Sequence, residues 1–203
     1  MPSAGFSWDA PTLRTLPTPE QLSSAYMTTE LDVLALVSDR LSAASVPFML
    51  TGSFALAYYA TPRMTRDLDM VVALDERDVE PVVAAFASDF YVDADAARTA
   101  VLTEVNLMHL ESGVKVDLIV RKSDEFRQVE FVRRKPVAIA NMQTWIVSCE
   151  DLILSKLVWA LQSNSELQRR DIRQLLVGSI DRDYFRKWAQ QLGVTGLLDE
   201  LLQ

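Results

Sequence analysis

Two aspartates one residue apart, Asp67 and Asp69, open the apolar run Asp67-Leu68-Asp69-Met70-Val71-Val72. In an extended chain residues i and i+2 face the same way, so both carboxylates would point together while Leu68 points into a core. Like charges side by side repel and raise each other's pKa. Such a pair costs little only when it is solvated, hydrogen-bonded to donors or bound to cations. Mg²⁺ suits it, because that ion is held by one or two carboxylates together with phosphates and waters. Asp117, in Val116-Asp117-Leu118, adds a third carboxylate at a position flanked by apolar residues, where a charge needs a reason to be. If its strand neighbours the one carrying Asp67 and Asp69, three carboxylates meet at one level of a sheet. That set can hold two divalent ions for in-line phosphoryl or nucleotidyl transfer.

Upstream lies Gly52-Ser53, followed by a helix-like segment that Thr61-Pro62 stops near Ala60. A helix N-terminus presents backbone N–H groups and here the Ser53 hydroxyl, a natural cradle for phosphate. Gly52 would let the backbone approach a ligand closely. It is not a P-loop, since G-x-x-x-x-G-K-[ST] occurs nowhere in the chain. Taken singly, each feature has a plainer reading: a simple helix cap, a solvated turn, a satisfied structural carboxylate. Their joint occurrence in this order points to phosphate chemistry.

The elements that must position these residues read as mixed α/β to about residue 147 and all helix thereafter. Residues 1–26, with four prolines, read as an irregular leader, 27–147 as a catalytic domain and 148–203 as a C-terminal helical region. Helical spacing of Leu31, Val33, Leu34, Leu36, Val37 and Leu41 predicts a helix over 29–44. Strands are expected at 48–52, 68–74, 105–110, 114–120, 137–140 and 143–147, with Ser112-Gly113 turning a hairpin. Helices are expected over 53–60, 75–86, 124–134, 165–177, 181–191 and 196–202. A further helix, 149–162, opens with a capping box of Ser148 and Asp151.

The net charge of −8 is uneven: residues 1–150 carry 13 basic against 21 acidic side chains, and 151–203 carry 7 against 7. An acidic chain is a poor non-specific binder of nucleic acid, whose affinity comes mainly from neutralised phosphates. One local exception is the basic cluster Arg121, Lys122, Arg127, Arg133, Arg134 and Lys135, readable as a solvated face or as a contact for an RNA acceptor. No apolar run approaches the roughly 20 residues that span a bilayer. No secretory signal is visible and the single Cys149 has no partner for a disulfide, so a cytoplasmic location is expected. His109, the one histidine, reads as structural, and Trp145, Trp159 and Trp188 read as core.

The motifs together resemble the nucleotidyltransferase superfamily with the DNA polymerase β-like fold. Its signature places Gly-Gly or Gly-Ser some nine to thirteen residues before Asp-x-Asp between apolar residues. Here Gly52-Ser53 is followed by thirteen residues and then Asp67-Leu68-Asp69. The run Arg63, Thr65, Asp67, Asp69 is similar to the Arg-x-Ser/Thr-x-Asp-x-Asp of AbiEii-type nucleotidyltransferases, many of them toxins. That group also carries a Lys on the helix after the sheet and an Asp on the next helix. Lys156 and Asp171 match those positions. The resemblance covers about residues 47–177. Thr51, where an apolar residue is usual, and the short interval from Asp117 to Lys156 depart from it.

The resemblance implies roles. Asp67, Asp69 and Asp117 would be catalytic and would bind Mg²⁺ or Mn²⁺. Gly52, Ser53, Arg63, Thr65, Lys156 and Asp171 would serve the nucleotide, with NTP as substrate. The acceptor hydroxyl could belong to a tRNA or another RNA, a protein or a small molecule, and a cognate antitoxin is an implied partner. The alternative is a non-catalytic member of the same fold that senses a nucleotide or binds a partner.

Overall fold

Alternation of apolar and polar residues at the start of two strands gives the centre of the sheet two unlike faces. In β2 (Asp67–Val72) and β5 (Lys115–Val120), Leu68, Met70, Val72, Val116 and Leu118 are buried on one side. Asp67, Asp69, Lys115 and Asp117 fall on the other. The structure, a computed structural model, describes residues 28–62, 65–92, 104–140 and 142–202. Around this pair run α1 (Thr28–Ala43), β1 (Phe48–Leu50), α2 (Gly52–Tyr59), α3 (Val79–Phe86), β3 (Phe90–Val92) and β4 (Glu104–His109). After β5 come α4 (Glu125–Val132), β6 (Lys135–Ile139), β7 (Met142–Ile146), α5 (Cys149–Ser163), α6 (Glu166–Leu175), α7 (Arg182–Gln191) and α8 (Thr195–Leu201).

The seven strands lie in the order β3-β4-β5-β2-β1-β7-β6. β2 runs parallel to β5 and antiparallel to β1, and β1 runs parallel to β7. β1 sits near the middle, and its three residues, Phe-Met-Leu, are all buried, as expected of a strand covered on both faces. The β4–β5 hairpin turns at Gly113, whose φ of +70° only glycine adopts freely. One buried cluster extends from Val33 of α1 through the sheet to Leu201 of α8.

Local chemistry accounts for the helix starts. Ser148, Ser165, Asp124 and Asp181 each accept a backbone N–H in the first turn of α5, α6, α4 and α7. At α5 the Ser148 hydroxyl also donates to Asp151 Oδ2 at 2.6 Å, so the Ser-Asp pair is bonded through side chains as well. Asn164 ends α5 in the left-handed region, φ +49°.

The expected elements are present, and their ends move by a few residues. The segment at 75–86 is a single 3-10 turn, Glu76–Asp78, running into α3. β3 was not expected from the sequence: three residues at a sheet edge carry too short a pattern to distinguish from a loop. Of the tryptophans, Trp188 is core at 4% exposure, but Trp159 stands 57% exposed and Trp145 39%, so the core assignment fails for both. The leader and Arg63 lie outside the described residues. No helix among the described residues is long and apolar enough to cross a membrane.

Candidate active site

Register brings the carboxylates together. Across the parallel β2–β5 pair, Asp69 stands directly opposite Asp117 and Asp67 opposite Lys115. All four project from the face away from the core strands' apolar side chains. Asn106 of β4 lies opposite Asp117 and extends the polar row by one strand. Asp67 sits at the exposed beginning of β2, while Asp69 is half-buried.

The Gly-Ser pair meets Asp69 from the other side. Thr51 N–H donates to the Asp69 carbonyl at 2.9 Å, which ties the end of β1 to β2. Gly52, at φ +63°, then turns the chain into α2. A Cβ on Gly52 would stand 1.9 Å from Asp69 Oδ2, so the carboxylate occupies the space that any other residue would fill. The Ser53 backbone N–H donates to the same carboxylate. Thr51, the N-cap, makes no side-chain cap bond of its own, so Asp69 performs that service for α2.

Burial pushes the Asp69 carboxyl up to about 6, with the Asp117 and Asp67 charges adding to it. The Ser53 N–H and Lys156 pull in the opposite direction. Lys115 Nζ lies 2.8 Å from the Asp117 carboxylate and donates to Oδ2, a bond that raises the lysine's pKa. Asp117 Oδ1 is buried and also lies 2.8 Å from Lys115 Nζ, so the ammonium sits against both carboxylate oxygens. Among those residues no three carboxylate, histidine or cysteine side chains form a ready-made metal-binding group.

Lys156 reaches the site from α5. It is 4% exposed and donates to Asp171 Oδ2 at 2.8 Å and Gln168 Oε1 at 3.0 Å, both on α6. The Lys and Asp matched by the resemblance therefore pair with each other. Gln168 was missed, although its position one turn before Asp171 on the same helix face was a usable signal. Lys115 was likewise missed, two residues before Asp117 and so on the same strand face. Replacing Lys156 with Met strands the Asp171 charge in the interior. We expect it to lower unfolding stability by about 3–5 kcal/mol, measured by urea titration, with part of the loss restored by adding Asp171→Asn.

A cavity of about 350 Å³ opens beside Asp69. Gly52, Asp69 and Lys156 form one end of it, but Ser53, Thr65, Asp67, Asp117 and Asp171 are not on its walls. Thr65 lies in the approach to β2, where its Oγ1 accepts from Asp67 N–H at 3.4 Å. The basic cluster divides here. Arg121, Lys122 and Arg127 face the cavity. Arg133 instead pairs with Glu150 and Asp151 and stacks on Tyr184, while Arg134 packs over Phe131 and Trp145. Neither a solvated face nor a single basic patch describes it. His109 bonds Ser112 through Nδ1 at 2.8 Å and lies 5.1 Å from the Phe90 ring, a structural setting.

The architecture has counterparts among solved structures. The solution structure of the antibiotic-resistance factor ANT(2″)-Ia superposes with a TM-score of 0.59 at 13% identity, over 85% of this chain and 96% of that one. The fold is that of the nucleotidyltransferases. An antigenic nucleotidyltransferase-like protein from Paracoccidioides brasiliensis matches at 0.52 and 19% identity, over 74% and 75% of the two chains. A nucleotidyltransferase, so far putative, from Thermotoga maritima matches at 0.51 and 17%, over 71% and 94%. No protein-family model and no curated protein matches the sequence.

Proposed function

We propose that the chain is a nucleotidyltransferase that moves a nucleoside monophosphate from an NTP to a hydroxyl, releasing pyrophosphate. The observation that carries this reading is the Asp69–Asp117 pair, held in register on adjacent strands with Gly52 pressed against Asp69. A structural protein has no use for two mutually repelling carboxylates, one of them on the wall of a cavity and raised towards 6.

The residues divide the work. The N-terminus of α2 offers phosphate a positive dipole end beside the Ser53 hydroxyl. Lys156, steadied by Asp171 and Gln168, holds a positive charge near Asp69 whatever the ligand. Asp117, next to the exposed Asn106 and the open side of the sheet, is placed to orient an incoming hydroxyl. Alignment of that hydroxyl with the phosphate is the largest contribution positioning can make. Asp69 and Asp117 would hold a divalent cation such as Mg²⁺ or Mn²⁺, which would neutralise triphosphate charge. The Lys115 ammonium, 2.8 Å from the Asp117 carboxylate, supports that role, because it marks the place as one that takes positive charge.

The AbiEii-type, toxin-like reading draws support from the Arg63-x-Thr65-x-Asp67-x-Asp69 run and from the Lys156–Asp171 contact. A small-molecule acceptor draws support from the acidic balance of the chain and from the fold likeness to ANT(2″)-Ia, one structure of which holds adenylyl-2″-tobramycin. Incubating the protein with each α-labelled NTP, Mg²⁺ and either total tRNA or a panel of aminoglycosides separates them. Label should appear in one acceptor class for the wild type and vanish in Asp67→Ala/Asp69→Ala. Absence of transfer to any acceptor, with NTP binding intact, would return the non-catalytic reading.

A further inference from the structure

Trp159 is large, apolar and 57% exposed, yet it lines the cavity that begins at Asp69. Among the described residues it stacks on no ring or guanidinium. An aromatic face left bare inside a concave site is the ordinary form of a stacking platform.

Its place along the cavity says what would stack there. On α5, Leu152, Ser155, Lys156, Trp159 and Gln162 all reach the cavity wall, a spacing that puts them along one helix face. Trp159 lies three residues, about 4.5 Å of axial rise, beyond Lys156. The sheet lines the same cavity. Beyond the Asp69–Asp117 level the next pair on the same face is Val71–Ile119, and both residues are on its wall. The site therefore combines two kinds of surface. Asp69, Gly52 and Lys156 suit phosphate and cation. The aliphatic pair from the sheet and the indole from the helix suit a flat apolar ring. Arg121 and Lys122 add positive charge along the wall, which an anionic ligand would find and a neutral one would not, while Arg127 is paired there with Glu130.

We infer that Trp159 is the nucleobase platform of this protein, stacking the base of an NTP whose phosphates lie at Asp69 and Lys156. The inference rests on the nucleotidyl-transfer reading and adds to it the residue that grips the base. Stacking tolerates any base, since each has a π-face. Base preference would then have to come from polar side chains beside the indole, with Gln162, one turn further along α5, placed to supply it.

Equilibrium binding of ATP, GTP, CTP, UTP and inorganic tripolyphosphate, each with Mg²⁺, tests this in wild type, Trp159→Ala and Trp159→Phe. Circular dichroism and urea titration would accompany the binding to verify folding. Loss of one stacked base corresponds to roughly 10- to 100-fold in affinity. We expect Trp159→Ala to weaken all four NTPs by that factor, Trp159→Phe to recover most of it, and tripolyphosphate to bind all three proteins alike. NTP binding unchanged in a folded Trp159→Ala variant overturns the inference and leaves nucleotidyl transfer standing. Equal loss of tripolyphosphate also overturns it, because the indole would then be supporting the phosphate end. A wild type that binds no NTP overturns both readings. Should Trp159→Ala fail to fold, tryptophan fluorescence decides instead. Quenching by NTP should be lost in Trp159→Phe, and quenching that persists there overturns the inference.

Discussion

Replacing Gly52 by alanine should abolish nucleotidyl transfer while leaving most of the fold intact. Two independent costs meet at that position. The backbone has φ +63°, a conformation that costs an L-residue about 1–2 kcal/mol. The new methyl would also stand 1.9 Å from Asp69 Oδ2, 2.6 Å from Cγ and 2.8 Å from Cβ, so the whole carboxylate must move. Displacing a reacting group by about 1 Å costs on the order of 100-fold in rate. Here the displaced group is the one that faces Asp117, and it loses the Ser53 N–H as well. We expect at least a 100-fold fall in transfer and a stability loss of about 1–3 kcal/mol, read by labelled-NTP assay and urea titration. Gly113→Ala is the control. That glycine has a similar φ of +70° but no atom within 4 Å of its Cβ position, so it should show the strain alone and keep full activity. Equal activity loss in both variants would mean that backbone strain, not the Asp69 contact, governs the site.

Asp69→Asn should separate function from stability in opposite directions. Losing a carboxylate that faces phosphate and cation should lower transfer by on the order of 1,000-fold. Yet the same change should stabilise the cation-free protein at neutral pH. In the fold the Asp69 carboxyl is raised to about 6, against its ordinary 3.8, because burial and the neighbouring Asp117 and Asp67 disfavour its charge. A group raised in the folded state favours folding while protonated, below about 3.8. That contribution disappears as pH rises through about 6. Two pKa units correspond to about 3 kcal/mol at most, so the Asn variant should gain about 1–3 kcal/mol at pH 7–8 and nothing near pH 4. Urea titrations at both pH values with EDTA present measure this. A destabilised Asn variant at pH 7.5 would show that the Ser53 N–H bond outweighs burial and repulsion.

How much of this was legible beforehand followed from periodicity. Period-two alternation in Leu68-Asp69-Met70 and Val116-Asp117-Leu118 gave strands and faces, and the cap at Ser148 gave a helix start. Lys156 and Asp171 were legible only as matches to the resemblance on successive helices, and their contact came from the fold. What stayed hidden depended on three-dimensional neighbours. Nothing local distinguishes Trp159 from Trp188: both sit in helical, partly apolar segments, and only the packed fold buries one and bares the other. The division of the basic cluster was hidden for the same reason, since α4 turns Arg127 towards the cavity while Arg133 and Arg134 pair elsewhere. That Asp69 would accept the Ser53 N–H could not be read from a motif that here keeps fifteen residues between them.

The alternation of β2 and β5 also acts as a proofreading step. If either strand paired one residue out of register, its aspartates would turn inward and its buried Leu, Met or Val side chains would turn out. Burying unpaired carboxylates and baring that apolar surface would remove more stability than a small domain possesses. A chain with misplaced aspartates is therefore one that does not stay folded, so every folded molecule in a population carries its carboxylates at the same level of the sheet.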